Sequence, residues 1–439
     1  MSTLVTILQF FASLSLLVLV HEFGHFLMAR IFKVRVEKFQ IFFGTPIIKF
    51  KPQNSDTEYG IGWLPLGGYV KIAGMIDESL DQEQMKRDVQ DWEFRSKPAW
   101  QRLLIMIMGV VFNFIFALLL YCILSFAYGE KYIPFQNLTH GMIFSETAKE
   151  IGFQDGDIFY MADSIPLEKP GNESFRQIVE AEKVTIIRDG EKKEIKMPED
   201  FMQRLMASGE GFISYRIPFV VDSVIRGSRA EMAQFQTGDS IVAFEGDSIT
   251  EIYISDATKK FAENKNIPIS VIVARNGGRD TLTLTPDHNG KVGVYMKPIS
   301  AFYATKNVTY GPIEAIGVGI SRGLELLTGY VSDMKYVFTK EGAQSVGGFL
   351  SIGSLFPYPF NAQIFWEITA FLSLILAFMN ILPIPALDGG HLMFLIYEII
   401  TRKKPSQKAL VNAQIIGMAI LLFLLIFANV NDFFRFFGE

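Results

Sequence analysis

The sequence predicts a polytopic α-helical membrane protein of about four transmembrane helices, with a membrane re-entrant β-loop and a large, mainly β insertion. Three observations carry that expectation. Four apolar stretches are each long enough to cross a hydrocarbon core of about 30 Å. Hydrophobic residues make up 49% of the 439, and the mean hydropathy is +0.25, above the range of an ordinary soluble domain. The lysines and arginines gather at alternate ends of the apolar stretches.

The spans run from Leu4 to Met28, Leu103 to Ala127, Phe365 to Leu382 and Leu410 to Ala428. The first lacks the basic start and small-residue cleavage site of a signal peptide, which predicts that it stays in the mature protein. Arg30, Lys33, Arg35 and Lys38 follow the first span. Arg95, Lys97 and Arg102 precede the second, and Arg402, Lys403, Lys404 and Lys408 separate the third from the fourth. Basic residues close to span ends favour the cytoplasmic side. Both termini and the long segment between the second and third spans are then expected outside, in a periplasm if the cell has two membranes.

Residues 1–128 thus form one membrane part, with a cytoplasmic loop, and residues 363–439 form the other. Within the loop, residues 58–74 combine turn formers with apolar and aromatic side chains and are too broken for a helix. They read as a β-hairpin or looped strand. Its apolarity beside a membrane predicts a re-entrant element, tolerated where protein or water satisfies the backbone.

The insertion carries short β-type runs, such as Pro268 to Ala274 and Thr281 to Thr285. It also holds a weak internal repeat. Gly152-Phe-Gln-Asp-Gly-Asp-Ile158 recurs as Gln234-Phe-Gln-Thr-Gly-Asp-Ser-Ile241, and the later turns Ala162-Asp-Ser-Ile165 and Glu245-Gly-Asp-Ser-Ile249 correspond. Two tandem modules are implied, at 129–215 and 216–300. Each Gly-Asp turn taken alone is ordinary loop chemistry. From Ile313, apolar residues recur at three- and four-residue steps through Met334, giving an amphipathic helix in a linker over 301–362. It either packs on the modules or lies on the outer membrane surface.

A net charge of −5 offers no basic field for phosphates, which excludes nucleic acid as a partner. Cys122 is the only cysteine, so a metal has to be held by histidine and carboxylate.

His21-Glu22-Phe23-Gly24-His25 is an H-E-x-x-H pattern on the inner part of the first span. That spacing puts both imidazoles on one helix face a turn apart, within reach of one Zn2+. In such sites the glutamate, here Glu22, takes a proton from the attacking water and can pass it to the leaving amine. An accidental match would place three ionisable side chains in an apolar span at a cost of at least about 2.5–3.5 kcal/mol for an unpaired charge. A catalytic zinc usually takes a third protein ligand. Asp388, in Asn380-Ile-Leu-Pro-Ile-Pro-Ala-Leu-Asp-Gly-Gly-His391, is the leading candidate, because Pro383 and Pro385 break the third span at the leaflet that holds the histidines. Its competing role is an N-cap of the helix beginning near Gly389, and His391 is the alternative ligand. Asn380 is a donor and acceptor suited to a substrate main chain or an oxyanion. Asn113 is suited to the same work or, preferably, to an interhelical hydrogen bond.

At these residues the chain resembles the site-2 protease family (peptidase family M50), in its bacterial class. The resemblance rests on His21-Glu-Phe-Gly-His25, Pro65-Leu-Gly-Gly-Tyr-Val-Lys71, Gly109-x-x-x-Asn113 and Asn380-x-x-Pro383-x-Pro385-x-x-Asp388-Gly-Gly. It departs where Val110 and Gly348 stand in place of the prolines many members carry. The resemblance implies one Zn2+ per chain held by His21, His25 and Asp388, with Glu22 as general base. It implies that the two modules are PDZ-like domains, with a peptide or periplasmic partner, and that the loop at Gly67 and Gly68 pairs with an unwound substrate. The implied activity is intramembrane cleavage of single-pass membrane proteins within the lipid bilayer, anti-sigma factors after a first cut and remnant signal peptides among them. Two rival readings are a membrane-tethered PDZ scaffold and a metal transporter. The transporter would show a related site in each half, and only one constellation is present.

Overall fold

The protein is described by a computed structural model covering residues 2–53, 55–75, 88–246 and 250–437. The end of the second expected repeat turn, at residues 247–249, lies outside them. The chain divides into two compact units, Met1–Gly129 with Thr309–Glu439, and Glu130–Val308.

The first unit is built on α1 (Ser2–Ile31), α2 (Ala99–Tyr128), α3 (Pro312–Val337), α4 (Ala362–Ile381), α5 (Asp388–Thr401) and α6 (Gln407–Phe437). Among the described residues, four helical stretches are long and apolar enough to cross a membrane: Thr3–Ile31, Ala99–Tyr128, Ala362–Ile381 and Lys408–Phe437. The expected spans fall inside them, apart from the last residue of the third. Helix α2 is the hub, packing against α1, α3, α4 and α5. It buries Ile105, Met106, Val110, Ala117, Leu120, Tyr121 and Leu124. Helix α6 instead leaves Ile416, Leu422, Phe423 and Ile426 exposed, the surface a helix presents to lipid. Hydroxyl hydrogen bonds tie the bundle where no water competes. Thr369 donates to Ser13 at 2.9 Å, and Ser373 to the Asn113 carbonyl at 2.8 Å.

Strands β1 (Val36–Phe43), β2 (Ile48–Phe50), β3 (Glu58–Ile61) and β4 (Leu64–Ile72) form one sheet in the order β2-β3-β1-β4. Of the two expected forms, hairpin or looped strand, the hairpin is not the one formed. β3 and β4 do not pair with each other; β1 lies between them, parallel to β3 and antiparallel to β4. The alternation over 36–43 is masked in sequence by charged Glu37 and Lys38, so the central strand was not expected. β4 is an edge strand, and it packs against α1. At Gly68 a Cβ would stand 2.9 Å from Val18 Cγ1 and 2.7 Å from the Gln40 carbonyl oxygen.

Helix α3 packs against α2. Its small residues Ala315, Gly319 and Gly323 are buried, with Gly319 against the Cys122 main chain and Gly323 against Leu118 and Tyr121 of α2. The apolar stripe Ile313, Ile316, Ile320, Leu324 and Val331 stays exposed. Periodicity located the helix, but close approach of small residues chose its packing face.

The second unit contains two hydrophobic cores. One gathers around Phe135, Phe153, Phe159, Ile186 and Phe201, the other around Val221, Ile241, Val271, Val273 and Leu284. Tyr303 and its neighbours Ile299 and Phe302 join the first core, so the chain returns to that core inside the expected linker. The repeat has a physical cause. Asp157 is 1% exposed and Asp239 fully buried. Each accepts the backbone N–H three residues before it at 2.8 Å, and each receives Nε and Nη2 of an arginine, Arg188 or Arg275, at 2.7 Å. Both arginines open a two-residue hairpin turn, Asp189-Gly190 and Asn276-Gly277, with positive φ at both positions. Asp-Gly and Asn-Gly are favoured there because they tolerate that region.

Candidate metal centre

His21 and His25 lie on one face of α1, with ring centroids 4.8 Å apart. They face α2 at Gly109, where a Cβ would stand 2.3 Å from His25 Nε2 and 2.8 Å from His21 Cε1. Only a residue without a side chain fits between the rings and the helix. His25 Nδ1 lies 2.9 Å from the Ile105 carbonyl oxygen and donates to it, which leaves Nε2 with a free electron pair directed inward.

Asp388 comes to the same point from the other end of the chain. After α4 stops at Ile381, Ala386 takes φ 76°, and α5 begins at Asp388 itself. The N-cap is Leu387, without a side-chain cap bond, so Asp388 does not take up the capping role. Its Oδ2 lies 3.1 Å from His21 Nε2 and 3.2 Å from His25 Nε2. The two Nε2 atoms are 3.2 Å apart. Oδ2 is buried with no hydrogen-bond partner of proper geometry.

Three atoms of metal-binding type therefore meet in a nearly equilateral triangle, which a dication among them would hold together. Ligands placed tetrahedrally at about 2.0–2.1 Å from zinc stand about 3.3 Å apart, close to the edges observed. Two imidazoles and one carboxylate also make a donor set that suits catalytic zinc and keeps a coordination position open. Among the described residues this is the only group of three such side chains close enough to hold one ion.

A cavity of about 660 Å3 opens onto the triangle. Glu22 lines it, and the Val70 main-chain amide of β4 lies within hydrogen-bonding reach of its carboxylate. Gly67, Gly68, Asn380 and His391 also line the cavity. His391 is not part of the triangle. Asn113, expected chiefly as a helix-packing residue, is fully buried with its Nδ2 3.4 Å from His21 Nδ1. Gln414 of α6 reaches the cavity and is 5% exposed; its place in an apolar helix far along the chain gave no signal linking it to the site.

The profile of Peptidase family M50 matches residues 9–424. The chain is 29% identical over 471 residues to the regulator of sigma E protease of Haemophilus influenzae, covering 99% of this chain and 100% of that protein. It is 31% identical over 457 residues to the regulator of sigma-E protease RseP of Escherichia coli, covering 97% and 98%. A similar match, 31% over 467 residues, covers 99% of this chain and 100% of the regulator of sigma E protease of Salmonella typhimurium. The chain belongs to peptidase family M50 and is, by that membership, a zinc-dependent metalloendopeptidase.

Proposed function

We propose that the protein is an intramembrane endopeptidase of the inner membrane. In this reading it cuts transmembrane segments of single-pass membrane proteins, anti-sigma factors after a first cleavage and remnant signal peptides among them. The observation that carries the reading is the convergence of His21, His25 and Asp388 at one point, with both histidines on a helix apolar enough to span a membrane. Those three residues would hold the zinc. When bound, zinc acidifies water and polarises a peptide carbonyl. Glu22 accepts the proton of the attacking water at its carboxylate and returns it to the leaving amine nitrogen, as a general base and then a general acid. Asn380 presents a carboxamide to the substrate main chain or the developing oxyanion.

A substrate helix hides its carbonyls in its own hydrogen bonds, so it has to unwind before it is cut. The open edge of β4, including Gly67 and Gly68, offers replacement partners by strand addition. That role fits a re-entrant position for the sheet, and the exposed Ile47, Ile48, Phe50 and Trp63 support it. The basic loops favour a cytoplasmic-leaflet active site, with both termini and the insertion periplasmic. The two cores of the second unit are read as PDZ-like domains that bind a peptide or exclude bulky substrates.

The test is reconstitution of the zinc-loaded chain in lipid vesicles with a labelled single-pass substrate. Cleavage that stops with a chelator and resumes with added zinc supports the reading. An intact substrate beside fully zinc-loaded protein, or metal flux through the vesicle wall, overturns it.

A further inference from the structure

The zinc reading accounts for the unpartnered Asp388 oxygen and leaves another buried polar atom beside the site without a partner. Asn113 is fully buried in the middle of α2. Its Nδ2 lies 3.4 Å from His21 Nδ1, and its Oδ1 has no hydrogen-bond partner. Its main-chain carbonyl is already engaged by Ser373, so packing against α4 does not need the carboxamide.

The geometry points to Asn113 as the positioning residue for His21, an inference that rests on the zinc reading. His21 Nε2 faces the triangle and needs its electron pair free, which puts the ring proton on Nδ1. A protonated Nδ1 needs an acceptor, and the unpartnered Oδ1 is the acceptor within reach. A half-turn of the carboxamide exchanges nitrogen and oxygen at nearly the same positions. Asn113 Oδ1 then accepts the His21 Nδ1–H, and the orphaned oxygen is satisfied.

The two imidazoles are thus oriented by one stripe of α2. Ile105, Gly109 and Asn113 recur at four-residue spacing, which places them one above another on a helix face. The Ile105 carbonyl holds Nδ1 of His25, Gly109 gives both rings room, and Asn113 holds Nδ1 of His21. The antiparallel run of α1 past α2 matches 25 with 105 and 21 with 113. Partners of this kind fix the tautomer and ring plane of metal-binding histidines, and losing one typically costs 10–100-fold in metal affinity.

The experiment is the zinc dissociation constant of the full chain in detergent, measured by competition with a chromogenic chelator. Asn113→Leu, similar in shape and without an acceptor, is expected to bind zinc about 10–100-fold more weakly. Asn113→Asp, which keeps the acceptor, is expected to bind at least as tightly as the unaltered chain. Ser373→Ala disturbs the packing at Asn113 without touching its carboxamide and is expected to leave affinity unchanged. If Asn113→Leu keeps full affinity while His21→Ala loses it, or if Asn113→Leu and Asn113→Asp fall equally, the positioning role is overturned. If His21→Ala also keeps full affinity, the failure lies with the zinc reading itself.

Discussion

His25 Nδ1 donates to the carbonyl oxygen of Ile105 at 2.9 Å, so one histidine of the site is oriented by a main-chain atom that no side-chain substitution deletes. The position four residues on has no such protection. Gly109→Ala would put a Cβ 2.3 Å from His25 Nε2, and overpacking of this kind costs about 1–3 kcal/mol. Zinc content and turnover should both fall, while Gly317→Ala, with nothing within 4 Å, should change neither. Full zinc loading in Gly109→Ala would contradict the packing described here.

Metal binding and proton transfer should separate cleanly. Asp388→Ala leaves two neutral imidazoles to hold a dication, so zinc and cleavage are lost together. Glu22→Gln keeps size and polarity without basicity, so zinc stays while turnover drops by about 10² or more. Zinc per molecule measured alongside turnover gives the two signatures. Loss of zinc from Glu22→Gln would make Glu22 a ligand and exchange the roles.

The paired arginines of the second unit predict independent local failures. Arg188→Ala strands the buried Asp157, and Arg275→Ala strands Asp239; removing one partner of a buried pair costs about 3–5 kcal/mol. Hydrogen exchange should accelerate in strands Lys183–Arg188 and Glu191–Lys196 for the first variant. For the second it should accelerate in Ile269–Arg275 and Gly278–Leu284. Acceleration of all four strands in both variants would show that the two cores unfold as one.

Burial pushes the Tyr303 phenol up to about 12 from its ordinary 10.0, and its hydroxyl donates to the Arg216 carbonyl. The raised value favours the neutral form in the fold. The stability it contributes is fully present below about pH 10 and is lost as pH rises towards about 12. Alkaline unfolding of the second unit should therefore be less steep in Tyr303→Phe. An identical profile would mean that the phenol ionises without consequence.

What was legible in the sequence follows from which signals are local. Span length and the H-E-x-x-H spacing need only neighbouring residues, so the helices and the His21–His25 face were readable. Asp388 was readable because two prolines break an apolar run beside a carboxylate. The sheet order was not, since β1 pairs with strands on both sides and nothing local says which edge meets which. Asn113 lay between two readings for a similar reason. A lone amide in a span looks the same whether it serves a substrate main chain or bonds another helix, and only the packing of α1 on α2 shows its Nδ2 3.4 Å from His21 Nδ1. The packing of α3 was hidden because its glycines look like helix weakness until a neighbouring backbone is seen against them.

The triangle is assembled from opposite ends of the polypeptide, and synthesis runs from the N-terminus. A ribosome-bound chain that has emerged only as far as α2 has His21, Glu22 and His25 but lacks the Asp388 carboxylate. It has no complete cage for a dication until α5 has been made. The order of translation thus sets when the triangle can close: His21 and His25 wait, through most of synthesis, for the carboxylate of Asp388.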